Sequence, residues 1–154
     1  MNPMDACCPE CGEILVVRGY KHSQLVGPYM VTDESTSAPL CPAGHGPLLT
    51  YEQLVGYERR AVKLLLQSGA GKTGAVMRFA RKTLGLKQTE LAGLLDVAPE
   101  TVSRWETEAN PAPHTTQLAL AALVDLALQT GADVLKGAPA MTDGQVFAIP
   151  SRAA

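Results

Sequence analysis

The chain has 154 residues, 46% hydrophobic and 18% charged, with a net charge of −2. This allows one ordinary domain or two small ones with a packed core, and argues against wholesale disorder or a uniformly basic nucleic-acid coat. No apolar run reaches the length of a bilayer span, and the N-terminal MNPMDACCPE lacks the basic start and apolar stretch of a secretory signal.

A cytoplasmic protein is therefore expected. Thiols stay reduced there, so the four cysteines point to metal before disulfides. Residues 1–50 are rich in Cys, Pro, Gly and Tyr. Glu13–Val17 is short and β-branched like a strand, and Val26–Thr32 is its expected partner, with no clean turn dipeptide between them to set the register. The same segment carries Cys8-Pro-Glu-Cys11-Gly12 and, further on, Cys41-Pro-Ala-Gly-His45. Two thiolates two residues apart can grip one tetrahedral ion, and the glycine lets backbone N–H groups turn toward sulfur. Cys8, Cys11, Cys41 and His45 together offer a Cys3His structural zinc site. Cys7 can substitute for Cys8 at a less favourable spacing, and His22 is a weaker spare ligand. So small a segment has little apolar core of its own, which favours a metal staple.

Tyr51–Gln67 reads as a helix behind Thr50 as N-cap, with Leu54, Val55, Tyr57, Ala61, Leu64 and Leu65 at helical spacing. The stretch SGAGKTG, residues 68–74, then looks like the end of a phosphate-cradling loop. Leu66 stands where the first glycine of that loop must be, and a helical pattern precedes it in place of a strand. Residues 69–73 are read instead as a glycine-rich hinge, with Thr73 capping the next helix.

From Ala75 to about Thr130 the pattern is mostly helical. Lys72, Arg78, Arg81, Lys82 and Lys87 form a local basic patch with no acid among them. Within LGLKQTELAGLLDVAPETVSRWE two short helices are predicted, Gln88–Leu95 and Pro99 to about Thr107. Asp96 takes the tight turn, since Asp tolerates the left-handed conformation, and Pro99 suits the first helical position. Leu91, Ala92, Leu95, Val97, Val102 and Trp105 should face inward, leaving Glu100, Thr101, Ser103 and Arg104 outside.

This pattern resembles the Xre/Cro-repressor helix-turn-helix family over roughly residues 75–130. The resemblance implies that the second helix enters the major groove of DNA. Gln88 then anchors a phosphate with Thr89 beside it, Glu100 and Arg104 read bases, and Thr101 and Ser103 contact the backbone. Arg81, Lys82 and Lys87 join the DNA-binding set. Lys87 and Ala98 stand where the family commonly has Ser or Thr caps, and Asp96 replaces its usual glycine.

A zinc-binding unit joined to such a domain resembles the MqsA family of antitoxins, which pair a YgiT-type zinc domain with an Xre-type DNA-binding domain. The resemblance implies a structural zinc, a partner ribonuclease toxin bound by the N-terminal unit, a homodimer, and repression at a palindromic operator on double-stranded DNA. That family supplies its ligands as two C-x-x-C pairs, and here the second is Cys41 with His45. The alternative is a stand-alone transcription regulator whose zinc unit senses metal or redox state or binds another protein. No enzymatic role is expected; His114 has no nucleophile near it in sequence. The expected class is α+β: a zinc-stapled β unit with its helix over 1–68, the hinge, a helix-turn-helix domain over 74–136 and a flexible tail over 137–154.

Overall fold

The computed structural model describes residues 6–130, so the expected tail and the last residues of the expected helical domain lie outside the described residues. Four strands, β1 (Val16–Gly19), β2 (His22–Val26), β3 (Tyr29–Asp33) and β4 (Ser37–Leu40), precede five helices. These are α1 (Tyr51–Gln67), α2 (Gly74–Thr83), α3 (Gln88–Leu95), α4 (Pro99–Glu106) and α5 (His114–Thr130). The result is the expected α+β order, β hairpins with a cysteine cluster followed by helices.

The strand pairing differs from expectation. β1 pairs antiparallel with β4, and β2 with β3, so Val26–Thr32 is not the partner of Glu13–Val17. It contains a turn of its own at Gly27-Pro28, where Gly27 has φ +59. Glycine at the first central position of a two-residue turn matches the twist of the flanking strands. The two hairpins nest into one ribbon, interrupted around Tyr20–Lys21 and Glu34–Thr36. Val26 and Val31 of the inner hairpin join the main core, whereas Leu15 clusters with Cys8, Cys41 and Ala6.

Helix α1 starts as expected. Thr50 accepts from the Gln53 N–H, and Gln53 Oε1 accepts from the Thr50 N–H, a reciprocal capping box. Its buried side chains are Tyr57, Arg59, Ala61, Val62, Leu65 and Leu66. Four of these share one core with α2, α4 and α5, so α1 packs with the helices that follow it. Arg59 is buried, and its guanidinium donates to the Thr83 carbonyl at 3.0 and 3.2 Å and to that of Ala127 at 3.3 Å. Those carbonyls lie in the last turns of α2 and α5, where the helix dipole is negative and the backbone acceptors lack partners.

The stretch expected to be a hinge is a packed turn. Ala70–Lys72 is a short 3-10 helix, and buried Gly71 donates its N–H to Gln117 Oε1 at 3.0 Å. Thr73 does not cap α2 with its side chain. Its hydroxyl meets Tyr29 Oη at 3.2 Å, and Glu108 Oε1 takes the Gly74 N–H at 2.7 Å instead. A Cβ on Gly74 would stand 2.2 Å from the Glu106 carbonyl oxygen. Gly74→Ala should therefore lower stability by about 3 kcal/mol through overpacking, although the same change in an exposed helix is stabilising. A fall in the urea midpoint at unchanged slope checks this, and a rise would mean that α2 and α4 can part freely.

Candidate functional site

At the N-terminal end two turns bring the four sequence-predicted metal donors together. Gly12 donates its N–H to the Cys8 carbonyl and Gly44 to that of Cys41, so each Cys turn closes on itself. The Cys8 and Cys41 side chains are buried and those of Cys11 and His45 exposed. Cys11 Sγ lies 3.6 Å from Cys41 Sγ, and His45 Nδ1 lies 3.5 Å from Cys41 Sγ and 3.7 Å from Cys8 Sγ. All four ligand atoms fall within 4.8 Å of one another. The edges of a tetrahedral Cys3His zinc site are about 3.5–3.8 Å, from metal bonds of about 2.0–2.3 Å, so the cluster has the size such a metal needs.

The electrostatics agree. Burial disfavours the Cys41 thiolate, but backbone N–H groups of His45 and Ala43, with Cys11 beside it, outweigh burial and bring it down to about 6. The backbone at Glu13 favours ionisation of Cys11, yet burial and the Cys41 and Cys8 sulfurs push it up to about 11. Three sulfurs so close do not all ionise unless a cation relieves their repulsion. His45 is raised by its contacts with Cys41 and Cys8, and its Nε2 faces Glu10 at 3.8 Å. A carboxylate behind a ligating imidazole fixes the ring and strengthens the donor. Cys8, Cys11, Cys41 and His45 can hold a metal ion. Cys7 lies outside this group and bridges to Ile14 along the chain instead. His22 is also elsewhere, its ring stacked on Tyr57 at 4.2 Å.

At the other end, α3 and α4 form the predicted pair. Asp96 ends α3 in the left-handed conformation (φ 54, ψ 46), and Pro99 opens α4. Neither Lys87 nor Ala98 caps with its side chain; Glu90 folds back to take the Lys87 N–H at 2.7 Å. Leu91, Ala92, Val102 and Trp105 are buried, with Leu95 and Val97 packed against them. This burial leaves Glu100 and Arg104 exposed on α4, and Thr101 and Ser103 half-buried. Lys82, Lys87 and Thr89 are exposed, and Gln88 is half-buried.

Arg81 is placed differently from its expected position among the DNA-facing residues. Its side chain is 13% exposed, and it donates to both carboxylate oxygens of Glu106, at 2.5 and 3.0 Å, and to the Leu86 carbonyl. Glu106 also accepts from Gln88 Nε2 at 3.0 Å and lies 3.5 Å from Arg78 Nε. Burial pushes the Glu106 carboxyl up, but the Arg81 and Gln88 hydrogen bonds and the Arg81 and Arg78 charges outweigh it and hold it below the usual value. The fork geometry of Arg81 and Glu106 links residues 25 apart, and no local sequence pattern announces such a pair.

Among the described residues no helix is long and apolar enough to cross a membrane. No curated protein and no solved structure matches the chain. Residues 77–123, from within α2 into α5, match the family model described as helix-turn-helix, and that match indicates a DNA-binding regulator.

Proposed function

We propose that the chain is a sequence-specific transcriptional repressor that uses α4 as its recognition helix. The observation that carries this reading is the division of α4, Val102 and Trp105 buried inward and Glu100 and Arg104 exposed outward, inside the matched helix-turn-helix span. Arg104 is the base reader, since an exposed guanidinium can make two hydrogen bonds to guanine, and Glu100 accepts from a cytosine amino group. Lys82, Lys87, Thr89, Thr101 and Ser103 serve the phosphate backbone, and Gln88 anchors it at the start of α3. A second copy packs along α5, where Leu118, Ala122 and Leu126 recur four residues apart and are exposed, giving a homodimer for a palindromic site.

The test is a sequence-selection experiment followed by binding titrations. Arg104→Ala should weaken the selected duplex by about 1–3 kcal/mol with little loss on mixed-sequence DNA. Equal losses on both would remove Arg104 from base reading.

In the same proposal the metal is a structural zinc, and the N-terminal unit docks and neutralises a partner ribonuclease toxin, as in MqsA-type antitoxins. Exposed Ile14, Val17, Leu25 and Met30 on the ribbon support a protein partner. Full-length protein should capture a small ribonuclease from native extract and quench its activity; the absence of any such complex would leave a stand-alone regulator. The 3.6 Å approach of Cys11 and Cys41 favours a second reading, in which the unit senses metal or oxidation. Loss of DNA affinity on mild chelation distinguishes it.

A further inference from the structure

Glu106, the last residue of α4, is the only carboxylate the described structure gives to three donor side chains from two other helices: Arg78 and Arg81 of α2, and Gln88 of α3. Its side chain is 1% exposed. An acid so placed beside a surface that must meet phosphates is at first sight a liability, since its charge repels the ligand. Its contacts resolve this. An ionised carboxylate only accepts hydrogen bonds, so it dictates which end of the Gln88 amide faces it: the nitrogen, at 3.0 Å. That nitrogen carries two hydrogens. One is spent on Glu106, and it is the only side-chain hydrogen bond that Gln88 makes among the described residues.

From this geometry we infer that Glu106 is a positioning residue for the phosphate contact: it holds the Gln88 amide with its second N–H available to a DNA phosphate, and it locks α4 to α2 and α3 in the same contact. A free Gln88 side chain would have to lose rotamer freedom and choose between its oxygen and nitrogen ends when DNA arrives; one held by Glu106 has already done both. The inference deepens the DNA-binding reading above and rests on it.

A phosphate contact is independent of sequence, so a fluorescein-labelled 24-base-pair duplex of mixed sequence at low salt is a sufficient probe. The full chain is titrated as wild type, Gln88→Ala, Glu106→Gln and the double variant, each first shown to be folded by circular dichroism. Each single change should weaken binding by about tenfold, the value of one hydrogen bond to a charged group. The double variant should also be about tenfold weaker, not a hundredfold, because both changes remove one contact. Charge alone predicts the opposite sign for Glu106→Gln, tighter binding on losing an acid. Tighter or unchanged binding, or losses that multiply in the double variant, would overturn the positioning role. If Glu106→Gln does not fold, the same cycle is run with Glu106→Asp, which keeps the charge and shortens the reach. Wild-type protein that binds no duplex at low salt would overturn the DNA reading itself, a result distinct from wild-type binding with multiplicative losses.

Discussion

Chelation should release the cysteine end of the chain while the helices keep their structure. In hydrogen exchange, amides of β1 and β4 and of the two Cys turns are expected to lose protection, and those of α1–α5 to retain it. The reason is the size of the core on each side. Among the described residues, the buried apolar cluster at the cysteine end is Cys8, Leu15 and Cys41, with Ala6 against them. A structural zinc is worth about 10–16 kcal/mol to a small fold, far more than so few small buried side chains can supply. The inner hairpin behaves differently, because Val26 and Val31 are buried in the helical core. The boundary of the loosened region should fall within the ribbon, near Tyr20 and Glu34, and not at the end of α1. Cys41→Ser should reproduce the effect. Loss of protection throughout α1–α5 would show that the metal supports the whole molecule, and no loss anywhere would show that the cysteines do not hold one.

Glu106→Ala should cost about 3–5 kcal/mol, among the largest effects of any single substitution here. Removing one partner of a buried ion pair leaves the other charged and unpaired, and Arg81 at 13% exposure cannot turn freely into water. Replacing both by apolar residues of similar size should cost less, since no charge is then stranded. The pH dependence follows from the direction of the shift. The Glu106 carboxyl is held lower in the folded chain than in the unfolded one. Its contribution is therefore present above the ordinary carboxylate value of about 4.5 and lost as pH falls through the folded value. Urea midpoints measured from pH 7 down to pH 3 should fall for the wild type and stay flatter for Glu106→Ala. Equal slopes would place the acid sensitivity elsewhere, for example at Asp33, which Ser35 and Arg60 hold low in the same way despite its burial.

What could be read from the sequence was local. Thr50 marks the start of α1, Asp96 the left-handed end of α3, and Pro99 the start of α4, because each is a property of a few consecutive residues. The convergence of Cys8, Cys11, Cys41 and His45 was legible because few chemistries explain that spacing. The strand pairing was not. Val26–Thr32 reads as one strand in the sequence, and only the cross-strand register shows Gly27-Pro28 to be a turn within it. Arg81 reads as one of a run of surface cations in the sequence; its carboxylate, Glu106, lies on a different helix. Arg59 shows the same limit. A charged residue in an amphipathic helix reads as solvated, and only the meeting of α1 with the ends of α2 and α5 supplies carbonyls for it. Glycines at 69–73 suggest freedom in the sequence, whereas in the structure the small size of Gly71 admits Gln117, and that of Gly74 beside it admits the α4 backbone, at close range.

The ribbon's double allegiance has a mechanical consequence. Its outer pair, β1 and β4, adjoins the cysteine core at Leu15 and Cys41. Its inner pair, β2 and β3, places Val26 and Val31 in the helical core, and the chain continues from one pair to the other through Tyr20–Lys21 and Glu34–Thr36. The tip of the inner hairpin also touches the start of α2, through Tyr29 on Thr73. A torque applied at the cysteine end therefore passes through two short spans outside the strand pairing and then through the paired backbone of the inner hairpin, to the base of the helix that carries Arg78, Arg81 and Lys82, much as a handle turns a key.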